Sequence, residues 1–162
     1  MQFKEYGFGL YGWQDKDIII AGGMRDHGYH PPGQMRATFV AYDAAKAIKE
    51  GKQQPDEIGN LTLVVNLGDG NDVLPSIDKL IKIEIKKELR RQGLGRRVVE
   101  AVMRAAPRDV EICDIKRNAK GFWIKMGAEG FRASGKNINA VMAKSPEQLP
   151  TDNVVETAGP KV

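Results

Sequence analysis

The chain has one cysteine, Cys113, among 162 residues. No internal disulfide can form, and a reducing interior such as the cytoplasm is the expected setting. It has two histidines, His27 and His30. Only Asp26 flanks them, and a structural zinc site needs four ligands, so no metal is expected there. There is no run of 18 apolar residues, which excludes a membrane-spanning helix and makes a membrane an unexpected partner. The first residues, Met-Gln-Phe-Lys-Glu-Tyr, lack the apolar stretch of a secretory signal. Two common nucleotide loops are also missing from the glycine-bearing stretch at residues 83–97, whose spacing is neither Gly-x-x-x-x-Gly-Lys-Ser/Thr nor Gly-x-Gly-x-x-Gly. Residues 68–72, Gly-Asp-Gly-Asn-Asp, are oxygen-rich but lack the spacing and terminal glutamate of an EF-hand, so they read as a turn.

What is present is an ordinary soluble composition, 41% hydrophobic and 28% charged. The length suits one domain with a real core. The net charge of +4 is unevenly spread. Residues 1–75 hold seven Lys and Arg against ten Asp and Glu, residues 76–144 hold seventeen against eight, and the rest hold one against three. A polyanion on the basic part and a cationic partner on the acidic part fit this division. Aromatics placed for stacking on bases lie largely outside the basic part, so nucleic acid is not the expected partner.

The basic part holds the most informative stretch, residues 83–97. Ile81, Ile83 and Ile85 alternate with Lys82 and Glu84, the period of a strand. Arg90-Arg91-Gln92-Gly93-Leu94-Gly95 turns the chain. Val98, Val99, Val102 and Met103 then recur at helical spacing, with Arg96, Arg97, Glu100 and Arg104 on the other side. Strand, glycine-bearing loop and helix start make an anion site, because the first helical N–H groups lack partners and carry the positive end of the macrodipole. The plainer alternative is a strand-to-helix turn with solvated arginines.

Around this stretch the elements follow in order. Phe8 and Leu10 alternate with glycines as an edge strand, and Ile18-Ile19-Ile20 is a buried-strand signal. Residues 25–33 are a loop by their glycines and prolines. Residues 36–43 read as a strand, with Asp43 capping a short helix over 44–50. Residues 61–67 and 77–86 are strands, 94–105 a helix broken by Pro107, and 110–115 a strand. In the last, Val110 and Ile112 share one face and Glu111, Cys113 and Ile115 the other. A helix over 118–126, with Phe122 and Met126 on its core face, ends at Gly127, and strands near 131–133 and 139–143 close the fold. This order predicts a single α/β (α+β) domain over residues 1–144. Residues 145–162, aperiodic and bearing Pro, Glu and Thr, read as a mobile tail.

Two segments together resemble the GNAT family of acyl-CoA-dependent N-acyltransferases. Arg90-x-x-Gly93-x-Gly95, with apolar Ile85 five positions earlier, is similar to the family's Arg/Gln-x-x-Gly-x-Gly/Ala motif. Phe122-Trp123-Ile124-Lys125-Met126-Gly127 is similar to its aromatic-aromatic-x-Lys/Arg-apolar-Gly segment. The resemblance covers about residues 78–130. It implies a mixed, mostly antiparallel sheet flanked by helices and splayed between the motif strand and the next strand. It also implies acetyl-CoA as acyl donor, with direct transfer to a primary amine of a small molecule, or to a protein lysine or N-terminus.

Carried over, the backbone of Ile83, Glu84 and Ile85 meets the pantetheine arm, and Arg90, Arg91, Gln92, Gly93, Leu94, Gly95 and Arg96 hold the pyrophosphate. Asn118 and Trp123 complete the cofactor set. Glu111 is the expected base, since counting back from Gly127 aligns it with the base glutamate of ribosomal-protein N-terminal acetyltransferases. Glu84 is the second candidate. Trp123 stands where many members have a proton-donating tyrosine, and Lys116 where the family has an asparagine, two residues before Asn118. Those departures leave open a catalytically weak or inactive protein of this fold that works by docking a partner. A nucleic-acid-directed acyltransferase is the third reading. Cys113 reads as a small core residue. The oligomeric state is open, a homodimer included.

Overall fold

The structure, a computed structural model, describes residues 3–26, 32–45, 54–68 and 73–144. His27, His30, the helix beyond Ala45, most of the turn at 68–72 and the segment from 145 lie outside the described residues. Among those described, nine strands form one sheet in the order β1-β2-β3-β4-β5-β6-β7-β9-β8. They are β1 (Lys4–Gly7), β2 (Leu10–Asp15), β3 (Ile18–Gly22), β4 (Gln34–Asp43), β5 (Asp56–Asn66), β6 (Ser76–Ile85), β7 (Val110–Ile115), β8 (Glu129–Ser134) and β9 (Asn137–Met142). Every neighbouring pair is antiparallel except β6 and β7. Two helices, α1 (Leu94–Ala105) and α2 (Lys120–Met126), complete the single mixed α/β domain. No described helix is long and apolar enough to cross a membrane.

Residues 4–22 form more than the edge strand and apolar run read from sequence: they are a three-stranded meander, β1-β2-β3. Trp13 is its anchor, 1% exposed, with its ring centroid 5.8 Å from Phe39 and 5.2 Å from Phe3. Asp15 on β2 pairs with Arg104 Nε at 3.1 Å, fastening the far end of α1 to the meander. Asp43 caps the helical turn at the end of β4, its Oδ1 accepting the Ala45 N–H at 3.0 Å. The same carboxylate lies 3.3 Å from Arg97, which fastens the near end of α1. Arg97 thus belongs to the scaffold.

Crossovers β6-α1-β7 and β7-α2-β8 step the same way across the sheet, and such connections are right-handed, so both helices share one face. The core lies between that face and the helices: Phe39, Leu61, Leu63, Ile77 and Leu80 meet Val98, Val99 and Val102. Two readings of side-chain direction need correction. On α2 the core residue is Trp123, 4% exposed, while Phe122 is 37% exposed. On β7 Ile115 is buried with Val110 and Ile112. Residues 113 and 114 both stand opposite Asn139 of β9, a bulge that returns Ile115 to the core face.

Candidate functional site

Strands β6 and β7 share only two registered pairs, Lys79 with Glu111 and Leu80 with Ile112. Beyond them the strands part. Bulges account for this, because an extra residue bends its strand and increases the local twist. β6 shifts register against β5 on both sides of Leu80, and β7 shifts between Ile112 and Ile115. The parting leaves a wedge-shaped cleft of about 820 Å³, within the usual range for small-molecule sites.

One wall of the wedge is a free strand edge. The Lys86 N–H donates to Ile58 O on β5 at 2.9 Å. Backbone groups alternate in direction along a strand, so Ile83 and Ile85 turn theirs towards the gap. Arg90 Nε donates to Ile85 O at 3.0 Å and folds the loop back against this edge. Gly59, opposite Ile85, permits the close approach of β5, since a β-carbon there would lie 2.3 Å from Glu84 O.

The wide end of the wedge meets the start of α1. Gly93 is the residue before the helix, with φ of 76° and no capping side chain. Arg91, not a glycine, also has a positive φ of 66°. The first turn holds no acid and carries Arg96 and Arg97. Cations there oppose the macrodipole, where acids are favourable by about 0.3–1 kcal/mol each. A helix start without a side-chain cap, with a glycine and two arginines in its first turn, is poorly designed for stability alone. It is well suited to an external anion.

The charge of the walls agrees. Lys82, Arg90, Arg91, Arg96, Lys116 and Lys125 line the cleft, against two acids, Glu84 and Asp114. Of the residues expected to hold a cofactor, the cleft brings together Ile83, Glu84, Ile85, Arg90, Arg91, Gly93, Gly95, Arg96, Asn118 and Trp123. Gln92 and Leu94 are not among its lining residues: Gln92 is exposed, and Leu94 is buried in the core. Trp123 meets Phe122 edge to face, with centroids 5.1 Å apart.

The two candidate bases part company. Glu84 lines the cleft and is exposed. Glu111 does not line it. Its Oε1 lies 3.3 Å from Lys79 Nζ and its Oε2 2.8 Å from Arg132, so both oxygens are engaged by cations beyond the narrow end. Cys113, read as a core residue, is half-buried and lines the cleft. Burial pushes its thiol pKa up first, and the Glu111 charge adds to that, against Lys79 and Arg132. A thiol kept protonated in this way is a poor nucleophile.

Comparisons with known proteins give likenesses in solved structures alone. No protein-family model matches the chain, and no curated protein does. The crystal structure of a KacTA–DNA complex contains a chain 21% identical to this one, with a TM-score of 0.49 over 76% of each chain. AtaTR bound with AcCoA gives 15% identity and a TM-score of 0.47 over 67% of this chain and 68% of that one. An acetyltransferase from Thermus thermophilus gives 18% identity and a TM-score of 0.44 over 69% of this chain and 65% of that one.

Several lining residues have no part in the sequence-based site: Lys82, Asp114, Phe122, Lys125 and Met126. Phe122, Lys125 and Met126 share one side of α2 by their i, i+3 and i+4 spacing, a signal that sequence reading assigned to the core. The ring of Phe122 rests against Gly95, where an added β-carbon would meet its Cε1 at 3.5 Å. Asp114 carries no such signal, because its place depends on the bulge.

Proposed function

We propose that this chain is a GNAT-type N-acetyltransferase that takes acetyl-CoA as donor and passes the acetyl group directly to a primary amine. One observation supports this most: an uncapped, cation-rich helix start faces a free strand edge across a cleft of suitable size. In this reading the first amides of α1, with Arg91 and Arg96, hold the diphosphate. The edge at Ile83 and Ile85 aligns the pantetheine arm as an added strand would, and a free N–H there stabilises charge developing on the carbonyl oxygen. These contacts position the thioester, and their contribution is to proximity rather than to bond making.

The acceptor amine must give up a proton to a group within reach. Glu84 is at the cleft and available. Glu111 enters this role only by releasing Lys79 and Arg132, and in its present pairing it orders the narrow end of the wedge. The buried indole of Trp123 can donate a hydrogen bond but cannot supply a proton to the departing sulfur. That single feature favours a second reading, a protein that keeps the coenzyme site and acts by binding a partner.

Titration calorimetry with CoA tests the shared part of both readings, and thiol release from acetyl-CoA with a panel of amines separates them. Binding with turnover supports the enzyme, and binding without turnover the second reading. No heat with CoA defeats both.

A further inference from the structure

The geometry points to Asp114, a residue outside every expectation for this site, as the carboxylate that meets the acceptor amine, with Asn139 as the positioning residue that holds it. This assignment rests on the acyltransferase reading above.

Four observations on different atoms agree. Asp114 has a φ of 54° inside a strand, one of five described non-glycine residues with positive φ. Such a conformation costs about 1–2 kcal/mol and is tolerated best by Asn and Asp. It persists only where the surroundings enforce it, and such residues concentrate at functional sites. The enforcement is visible: Asn139 Oδ1 accepts the Asp114 N–H at 3.1 Å, across the bulge. The bulge also decides direction. Ile112 and Ile115 are buried, while Cys113 and Asp114 between them are not, so both lie off the core face. Finally, Asp114 is exposed and lines the cleft.

Position along the wedge separates Asp114 from Glu84. The diphosphate end is fixed by the α1 start, so an arm running down the free edge brings its far end to the narrow part near Leu80 and Ile112. Glu84 stands four residues from Leu80, about 13 Å along an extended strand and close to the loop. Asp114 stands two residues past Ile112, about 7 Å or less with the bulge, on the opposite wall. Glu111 is nearer still but is committed to Lys79 and Arg132.

The proton balance is simple. An ammonium acceptor gives one proton to the Asp114 carboxylate, directly or through water. The N–C bond then forms as the C–S bond breaks, and a second proton from nitrogen ends on the departing sulfur.

The test uses the full chain, acetyl-CoA, and an amine panel of a lysine peptide, a peptide with a free N-terminus and a diamine. Asp114→Asn should lower kcat at least 100-fold while the CoA Kd stays within about threefold. Asn139→Ala should lower kcat in the same direction, and Asn139→Asp, which keeps an oxygen for the Asp114 N–H, should recover at least tenfold of the loss. Asp114→Glu provides a second reading should the amide variant fold poorly. Wild-type kcat in Asp114→Asn, or a loss in Glu84→Gln or Glu111→Gln without one in Asp114→Asn, overturns the assignment. CoA binding by wild type with every amine left unacylated overturns it too. Absence of CoA binding defeats the acyltransferase reading first, and this assignment with it.

Discussion

Replacing Gly93 by alanine separates the fold from the coenzyme at one position. Gly93 has a φ of 76°, and a β-carbon built on it meets no atom within 4 Å. The fold therefore sees backbone strain alone, about 1–2 kcal/mol for an L residue in the left-handed region. For a chain of this length each kcal/mol moves Tm by roughly 2–4 °C, so the expected fall is about 2–8 °C. On the proposed reading the coenzyme sees something else. Gly93 lines the cleft, and the new methyl group stands in the open space before the first amides of α1. Loss of one hydrogen bond to a charged phosphate costs about 1.5–3 kcal/mol, a weakening of CoA binding of roughly tenfold to 150-fold. Gly95→Ala gives the complementary reading of packing. Its β-carbon makes an ordinary contact with Phe122 in a helical backbone, so Tm should rise by up to about 4 °C. Differential scanning calorimetry and CoA titration on the purified variants measure both quantities. A lowered Tm in Gly93→Ala with unchanged CoA affinity would refute the placement of the diphosphate at this helix start.

Three further outcomes follow from the same geometry. Trp13→Ala should lose about 3–5 kcal/mol, because a fully buried indole leaves a cavity against Phe39 and Phe3, and a urea melt should show it. Glu111→Gln should change stability by less than about 1 kcal/mol, since Arg132 and Lys79 are 65% and 42% exposed in their pairs and solvent screens them. Cys113 should alkylate slowly at about pH 8: burial raises its pKa, so the thiolate fraction at that pH is below that of a free thiol and grows only as pH rises further. Because Cys113 lines the cleft, saturating CoA should slow its alkylation again, and mass spectrometry of iodoacetamide-treated protein reads both effects.

The half of the fold around the motif was legible because its signals are local. Alternation of Ile81, Ile83 and Ile85 gives the end of β6, and the helical recurrence of Val98, Val99 and Val102 gives α1 to the residue, Leu94 to Ala105. Pro107 and Gly127 mark the stops. The first 22 residues were not legible in the same way. Phe8 is fully exposed at a hairpin tip between Gly7 and Gly9, so the apolar pattern there mixes a tip residue with core residues such as Trp13. Strand pairing in a meander is set by turns, and the positive φ of Phe8 and Lys16 is not a preference that sequence reading assigns to those residue types.

The site divides along the same line. Its end at the start of α1 is written in consecutive residues, where a missing first-turn acid, two glycines and a run of arginines can be read off directly. Its narrow end is built from residues far apart in sequence: Lys79, Glu111 and Arg132 come from three strands, and Asp114 depends on Asn139 of a fourth element. Counting positions along β7 assumes strict alternation, and one inserted residue breaks that assumption for everything after Ile112. The carboxylate selected by counting back from Gly127 is the one the ion pairs occupy, and Asp114, which the bulge leaves exposed at the cleft, carries no pattern at all. A base is chosen by reach to the reacting nitrogen before anything else, and reach here is a property of where two strands stop pairing.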